Sequence, residues 1–370
     1  MGKVFATLLI LALFFAGWFA WAVLTPVEPH GQTFVMLRPG YSTRRIAAEL
    51  KSNGVIRSEQ AFILWRYVSH KRSLKAGEYL FEQPANIIDV QKRLRRGDVY
   101  FHTVVVPEGF NMFDIARAIE AAGLGPAQDF LKVAQTDTAL VADFAPNAPS
   151  LEGYLFPDTY QFSRMQSMEE MAAEMVCQFR MVAYQIGLSN PSANSAANAN
   201  SSPPDNSNHH CSFMGGRITM RTTDLSATPN EPLLDLEQTV TMASIIEKET
   251  AVPDERPLVA SVYCNRLARK IALDADPSII YAELLAGTYS GALHHEDMRF
   301  ASPYNTYRYV GLPPGPIANP GKSSLEAAMH PAQSDYYYFV ADAAGHHRFA
   351  HTLEEHDKNV AAYRRAMRGQ

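Results

Sequence analysis

Residues 4–24 read VFATLLILALFFAGWFAWAVL, twenty-one positions without a charge or a proline. At 1.5 Å per residue, a helix of that length spans about 31 Å, close to the hydrocarbon thickness of a bilayer. Trp18 and Trp21 stand near one end, where aromatic side chains favour the headgroup region. Lys3 precedes the run, and Glu28 is the first charge after it. Positive charge before the span places the N-terminus in the cytoplasm and everything beyond Thr25 outside it. A cleaved signal peptide is the alternative, because Ala20-Trp21-Ala22 mimics an A-x-A site. The run is longer than an ordinary signal-peptide core, and Trp beside the cut is unfavourable, so a retained single-pass anchor at 1–25 is the preferred reading.

The remaining chain has the composition of a folded body. Of 370 residues, 47% are hydrophobic and 19% charged. That is ample for a packed core without a disulfide or metal staple. The 33 Lys plus Arg against 38 Asp plus Glu leave a net charge of −5, which argues against a nucleic-acid binder. Three cysteines, Cys177, Cys211 and Cys264, fit no zinc pattern. A Cys177–Cys211 bridge is conceivable in an oxidising compartment.

A shift of 69 residues superimposes two stretches. Val35-Met36-Leu37 meets Val104-Val105-Val106, Gly40 meets Gly109, Ile46-Ala47 meets Ile115-Ala116, and Gly54 meets Gly123. Each copy reads as a strand, a glycine turn and an amphipathic helix, with Gly54 and Gly123 at the helix C-cap. Between them, 77–81 reads as a second strand and 87–94 as a second helix. A strand–helix–helix–strand unit of this size is LysM-like, a small carbohydrate-binding α+β subdomain, and the repeat region is assigned to 31–145. The bland alternative is a pair of α+β spacers with no ligand.

Residues 189–210, SNPSANSAANANSSPPDNSNHH, contain no large apolar side chain and cannot offset the cost of ordering a backbone. They are read as a disordered insertion reaching to about 231, inside a domain that otherwise occupies 146–370. His209 and His210 beside Cys211 suggest a metal, but no further ligands follow at suitable spacing, so no metal site is assigned. After the insertion, Asp235 with Gln238 caps a helix through Thr250, and Asp276-Pro277 opens one that ends before Gly287. Ser323 with Glu326 opens a third, stopped at His330 by Pro331. Residues 336–350 read as a hairpin, and Thr352 with Glu355 caps a terminal helix. The fold class is α+β: a transmembrane helix, small LysM-like subdomains, and a mixed, helix-rich C-terminal domain.

Chemistry is sought where these patterns break. In the helix after Asp235, Val240, Ser244 and Glu247 share one face at i, i+4, i+7. A carboxylate ending an apolar stripe is partly desolvated, which favours its protonated form, as a general acid requires. Glu249 lies about 200° around the helix beside Lys248 and is less suited on that argument. The bland reading leaves both in a solvated helix end. Ser302-Pro303-Tyr304-Asn305-Thr306-Tyr307 offers hydroxyls, amides and flat rings of the kind that bind sugars, and leads into the stiff run 311–317, GLPPGPI. Residues 151–160, LEGYLFPDTY, set Glu152 and Asp158 among aromatics.

Several of these stretches together resemble the signature of the YceG-like family of endolytic murein transglycosylases. They are 243–250 (ASIIEKET), 151–160, Asp276-Pro277, Tyr304 to Tyr307, 311–317, Ala328-Met329-His330-Pro331 and 338–342 (YFVAD). The insertion, and 271–276 (IALDAD) with no glutamine or threonine just before Asp276, depart from the family's pattern. The resemblance implies an inner-membrane enzyme that cuts nascent peptidoglycan strands internally, with Glu247 rather than Glu249 catalytic. It implies no metal or organic cofactor, glycan strands as substrate, and peptidoglycan synthases as candidate partners. Glu152, Asp158, Asp276, Tyr304, Asn305 and Tyr307 are the candidate substrate-binding residues. The reaction implied leaves 1,6-anhydro-muramoyl ends, so one glutamate serves as acid and then base. A lysozyme-type hydrolase, with Glu152, Asp158 or Asp276 as second carboxylate, and a non-catalytic peptidoglycan-binding anchor remain the alternatives.

Overall fold

The computed structural model describes residues 2–69, 73–188 and 234–368. The insertion at 189–231, with His209, His210 and Cys211, lies outside the described residues. The chain divides into two compact units, residues 1–103 with 161–166, and 104–160 with 167–370. The second copy of the repeat therefore belongs to the larger unit, whereas the sequence reading grouped both copies in 31–145. The described residues form three two-stranded sheets among many helices, an α+β chain as expected.

In the first unit, helix α1 (Gly2–Leu24) carries no charge beyond Lys3 and is exposed along most of its length. Its end is different: Ala22 and Val23 are each 2% exposed and belong to the unit's hydrophobic core. Strand β1 (Thr33–Leu37) pairs antiparallel with β2 (Gly77–Phe81), Thr33 opposite Phe81 and Leu37 opposite Gly77. Two helices, α2 (Thr43–Ser52) and α3 (Glu59–Val68), lie between them in sequence. Helix α3 is absent from the sequence reading, which took 87–94 as the second helix. That segment is α4 (Ile87–Arg96), following β2. The reason is legible in hindsight: EQAFILWRYV buries only Ala61 and Phe62 fully, so its apolar spacing is blurred, and its cap is a lone Ser58 accepting from the Ala61 N–H.

The 69-residue shift holds in the backbone. Ser42 caps α2 and Asn111 caps α5 (Met112–Ala121), while Gly54 and Gly123 adopt φ of +70° and +72° to end them. A further helix follows each, α3 in the first copy and α6 (Ala127–Thr136) in the second. The copies diverge at the return strand. Strand β3 (His102–Val105) pairs with β4 (Thr159–Phe162), so residues 137–158 intervene before the second copy closes.

The second unit continues with α7 (Met168–Gln185), α8 (Leu236–Glu249), α9 (Arg256–Ala268), α10 (Asp276–Ala286), α11 (Lys322–Met329), the hairpin β5–β6 (Tyr338–Ala341, His347–Ala350) and α12 (Leu353–Arg368). Asp235 and Gln238 form the expected capping box on α8. Two other caps differ from expectation. Ala275, not Asp276, precedes α10, because the Asp276 carboxylate accepts from the Tyr307 hydroxyl instead. Gly321, not Ser323, caps α11, and the Ser323 hydroxyl meets the Arg256 guanidinium.

Helix α8 is buried on all sides from Thr239 to Ile246, as a helix through a core must be. Its hydroxyls are satisfied within the helix, Thr239 donating to Asp235 O, Thr241 to Glu237 O and Ser244 to Thr241 O. Gly153, at φ +87°, lies against it, and a Cβ there would overlap Pro316 and press on Val240. Gly153→Ala should therefore cost roughly 2–4 kcal/mol through left-handed strain and overpacking. Thermal unfolding checks this, and a melting temperature within about 1 °C of the parent would rule out so close a fit.

Candidate active site

The face of α8 singled out in the sequence meets two loops, the one around Gly153 and the one that leads into α11. Val240 lies against Gly153, the Ser244 hydroxyl accepts from the Ile317 N–H at 3.0 Å, and Glu247 reaches residues 319–321. The loops are fastened to one another by Asn319, which is fully buried. Its Oδ1 accepts from the N–H groups of Gly153 and Leu155 at 2.8 and 2.9 Å, and its Nδ2 donates to Phe110 O and Glu152 Oε1 at 3.0 and 2.8 Å. Its backbone pairs with 109–110 as well, Gly109 N–H to Asn319 O and Asn319 N–H to Phe110 O. This pairing sets Glu108 beside Gly321.

Glu247 stands in the last turn of α8 with its side chain 5% exposed. Oε1 accepts from Arg256 Nη2 at 2.9 Å, and Oε2 accepts from the Gly321 N–H at 2.9 Å. Lys248 Nζ donates to Gly109 O at 3.2 Å, docking the helix end onto the 107–110 turn. Arg256 is itself 6% exposed, lies 3.7 Å from Glu108 Oε2, and bonds Ser323 through Nη1. Burial at Glu247 is thus accompanied by a cation and an amide, partners the sequence reading did not foresee. Arg256, Glu108 and Gly321 are the site residues it missed. The available sequence signal was the 69-residue shift, which places Glu108-Gly109 at the turn equivalent to Pro39-Gly40.

The other carboxylate of the helix behaves differently from expectation. Glu249 is buried against Tyr263 of α9, and burial pushes its carboxyl up to about 7 despite the Tyr263 hydrogen bond. Asp276 and Arg266 add smaller opposing effects. The desolvation argument therefore describes Glu249 more directly than Glu247.

The remaining predicted residues fall into two groups. Tyr307, 37% exposed, donates to Asp276 Oδ1 at 2.6 Å, so these two form one half-open cluster on the Glu249 side. Tyr304 is half-buried with its ring 5.2 Å from that of Tyr281, and burial raises its hydroxyl to about 12. Asn305 and Glu152 are buried. Asn305 is fully buried, donates to Met298 O and Phe300 O and accepts from the Tyr307 N–H, so it builds the loop and has no face for a ligand. Glu152 is 1% exposed, with its oxygens on the Met112 N–H and Asn319, and burial lifts its carboxyl to about 8. It too is a packing element. Asp158 is exposed and tied to the Thr159 N–H and to Gln178, partners on β4 and α7 rather than around Glu247. Among the described residues no group of His, Cys, Asp and Glu is arranged to hold a metal.

Residues 35–362 match the model of the YceG-like family, nearly the whole chain. The chain belongs to the YceG-like family. A relative from Bacillus subtilis named endolytic murein transglycosylase is 32% identical over 359 residues, covering 92% of this chain and 88% of that one. A protein of the same name from Streptococcus pneumoniae D39 is 26% identical over 390 residues, covering 97% of this chain and 64% of its own length. The crystal structure of a YceG-like protein from Listeria monocytogenes superimposes with a TM-score of 0.50 at 29% identity, covering 88% of this chain and 98% of that one. Two of the stretches that meet α8 in this YceG-like chain, 151–160 and 311–317, carry motifs by which the sequence resembles the family.

Two measurements probe this architecture. Asn319→Ala leaves the Gly153 and Leu155 N–H groups without their acceptor and removes the donor to Glu152 Oε1, and should cost at least about 3 kcal/mol, read by denaturant unfolding. A loss under about 1 kcal/mol would mean the loops hold without it. The second concerns Glu249. Its folded carboxyl is raised above the unfolded value of about 4.3, so its stabilising effect is complete below that pH and is lost as pH rises through about 7. Glu249→Gln removes this loss, so the stability of the variant relative to the parent should rise between pH 5 and pH 8. A constant difference across that range would contradict the buried placement.

Proposed function

We propose that the chain is a membrane-anchored endolytic lytic transglycosylase that cuts peptidoglycan glycan strands between N-acetylmuramic acid and N-acetylglucosamine. The observation that carries this is Glu247, a nearly buried carboxylate at the junction of the family's motif-bearing loops. Relatives 32% and 26% identical to this chain are named endolytic murein transglycosylases.

In the proposed reaction, protonated Glu247 donates to the glycosidic oxygen as the C1–O4 bond breaks. The muramoyl C6 hydroxyl attacks C1, and the Glu247 carboxylate takes the hydroxyl proton as the C1–O6 bond forms. The product is a 1,6-anhydro end, and Glu247 returns to its starting protonation state. Because the nucleophile is intramolecular, no second carboxylate is needed to activate water, unlike in an ordinary glycosidase. The Gly321 N–H fixes one carboxylate oxygen, leaving Arg256 to govern the other. Tyr307, Asp276 and Tyr304 remain candidates for contacting the glycan, an exposed ring whose hydroxyl is paired with a carboxylate and, next to them, a half-buried ring. The β1–α2–α3–β2 order of the first unit supports a LysM-like role in holding the strand.

Retention of α1 as a single-pass anchor in the inner membrane, with the N-terminus cytoplasmic and the body periplasmic, is supported by the same structure. A cut after Ala22 would remove Ala22 from the core and sever it from Val23, both 2% exposed. A cleavable leader is not expected to complete the core of the mature domain. Peptidoglycan synthases are proposed as partners because they produce the strands to be cut.

Glu247→Gln preserves volume but cannot donate a proton, and should lose at least roughly a hundredfold in strand cleavage, the usual scale of acid–base catalysis. Glu249→Gln should keep most activity. The full-length chain in detergent, incubated with purified glycan strands, measures both, with melting curves as the folding control. Product masses discriminate the chemistry, because a hydrolase yields ends about 18 Da heavier than the anhydro form. Full activity of the Glu247 variant would overturn the assignment.

A further inference from the structure

Around Arg256, two carboxylates compete for one guanidinium. Nη2 is 2.9 Å from Glu247 Oε1 and 3.7 Å from Glu108 Oε2, so the same nitrogen faces both. Glu247 is 5% exposed and Glu108 51%, so the pair joins an interior carboxylate to a solvated one. Both are braced on Gly321. Its N–H holds Glu247, and the Glu108 carboxylate occupies the space a Cβ at Gly321 would fill. Arg256 is not saturated either: Nη1 meets Ser323, but Nε is buried without a hydrogen-bond partner. A buried donor left open has a ready use for a second arrangement of its guanidinium.

This arrangement bears on a difficulty in the reaction proposed above. A guanidinium bonded to Glu247 favours the charged carboxylate, the form needed for the second half of the reaction. The first half needs a proton on Glu247, and a cation in direct contact opposes it. The neighbouring charges offer no other relief. Lys248 is on Gly109 O, Lys322 pairs with Glu326, Glu255 is held by His346 and His347, and Glu249 is turned to Tyr263. Asp254 shares the short turn before α9 with Glu255.

We propose that Glu108 is a positioning residue that takes Arg256 over from Glu247, so that one guanidinium serves two carboxylates in turn and Glu247 is released to carry the proton it donates. The proton comes from solvent when Arg256 turns towards Glu108, and the set of two glutamates and one arginine passes from a net charge of −1 to zero. Donation to the glycosidic oxygen leaves the carboxylate, to which Arg256 returns, and uptake of the C6 hydroxyl proton then neutralises Glu247 as Arg256 moves back to Glu108. The proposal rests on Glu247 being the acid–base residue.

The test is Glu108→Gln in the full-length chain in detergent, with kcat and KM for glycan strands measured from pH 5 to pH 9. Without a competing carboxylate, Arg256 stays on Glu247. At neutral pH kcat should fall about tenfold, the alkaline limb of the profile should move about one pH unit lower, and KM should stay within about twofold. Glu108→Asp, keeping the charge, should restore most of the rate and the limb. An unchanged rate and limb would overturn the proposal. So would a loss confined to KM, which would make Glu108 a glycan contact. A pH-independent loss with a lowered melting temperature would make it structural, and would also overturn it. Glu247→Gln in the same assay separates the two readings. If that variant is inactive while Glu108→Gln matches the parent, only the role of Glu108 falls, whereas an active Glu247 variant removes the assignment beneath it.

Discussion

The larger unit depends on one buried amide. The Asn319 side chain has two donors and two acceptor positions, and all four are used, on two segments far from it in sequence, Phe110 and 152–155. An amide suits this junction because it donates towards Glu152 while accepting from the 153–155 backbone. An acid would set oxygen against oxygen, and a hydrophobic residue would strand the Gly153 and Leu155 N–H groups. Since 109–110, 152–155 and 319–321 carry or flank Glu108, the α8 contact and the Glu247 amide, the geometry of the candidate site is fixed at second hand by a residue that takes no part in chemistry.

Helix α8 then divides its end into two environments. On one face, Glu247 is buried but matched by a cation and an amide, so its charge can be accommodated. On the other, Glu249 has a tyrosine hydroxyl for company, and desolvation governs it. Two glutamates separated by one lysine therefore differ by what the opposing helices and loops supply, not by how deeply α8 sinks into the core.

Much of this was legible from residue order. The apolar span, the capping box at Asp235, the hairpin at 338–350 and the matched turns at Gly54 and Gly123 rest on local rules, and the structure follows them. So does the face bearing Val240, Ser244 and Glu247, because helical spacing alone determines what shares a side. What escaped was decided at long range. Nothing in the order of residues says that Arg256 is buried, that Glu152 turns inward to an asparagine 167 positions later, or that Asn305 spends its amide on its own loop. Asp276 and Ser323 looked like helix caps by type, and each was drawn instead to a partner from elsewhere in the fold, Tyr307 and Arg256. Helix α3 was missed for a milder reason, a weakly periodic apolar pattern on a helix that is only half covered.

The last turn of α1 remains. A protein hung from a bilayer by a floppy tether can tumble over a hemisphere, and its reach is that of the tether. Here Ala22 and Val23 are packed into the first unit, and Arg57 both stacks on the Trp21 ring and bonds Pro26 O, so helix and unit move as one piece. With α1 spanning the membrane, tilting the first unit means tilting the span. The height of its β1–β2 sheet above the lipid would then be set by α1 itself and not by the length of a tether. A growing polymer laid down parallel to that surface would then meet the sheet at a set level, a selection in space that requires no affinity.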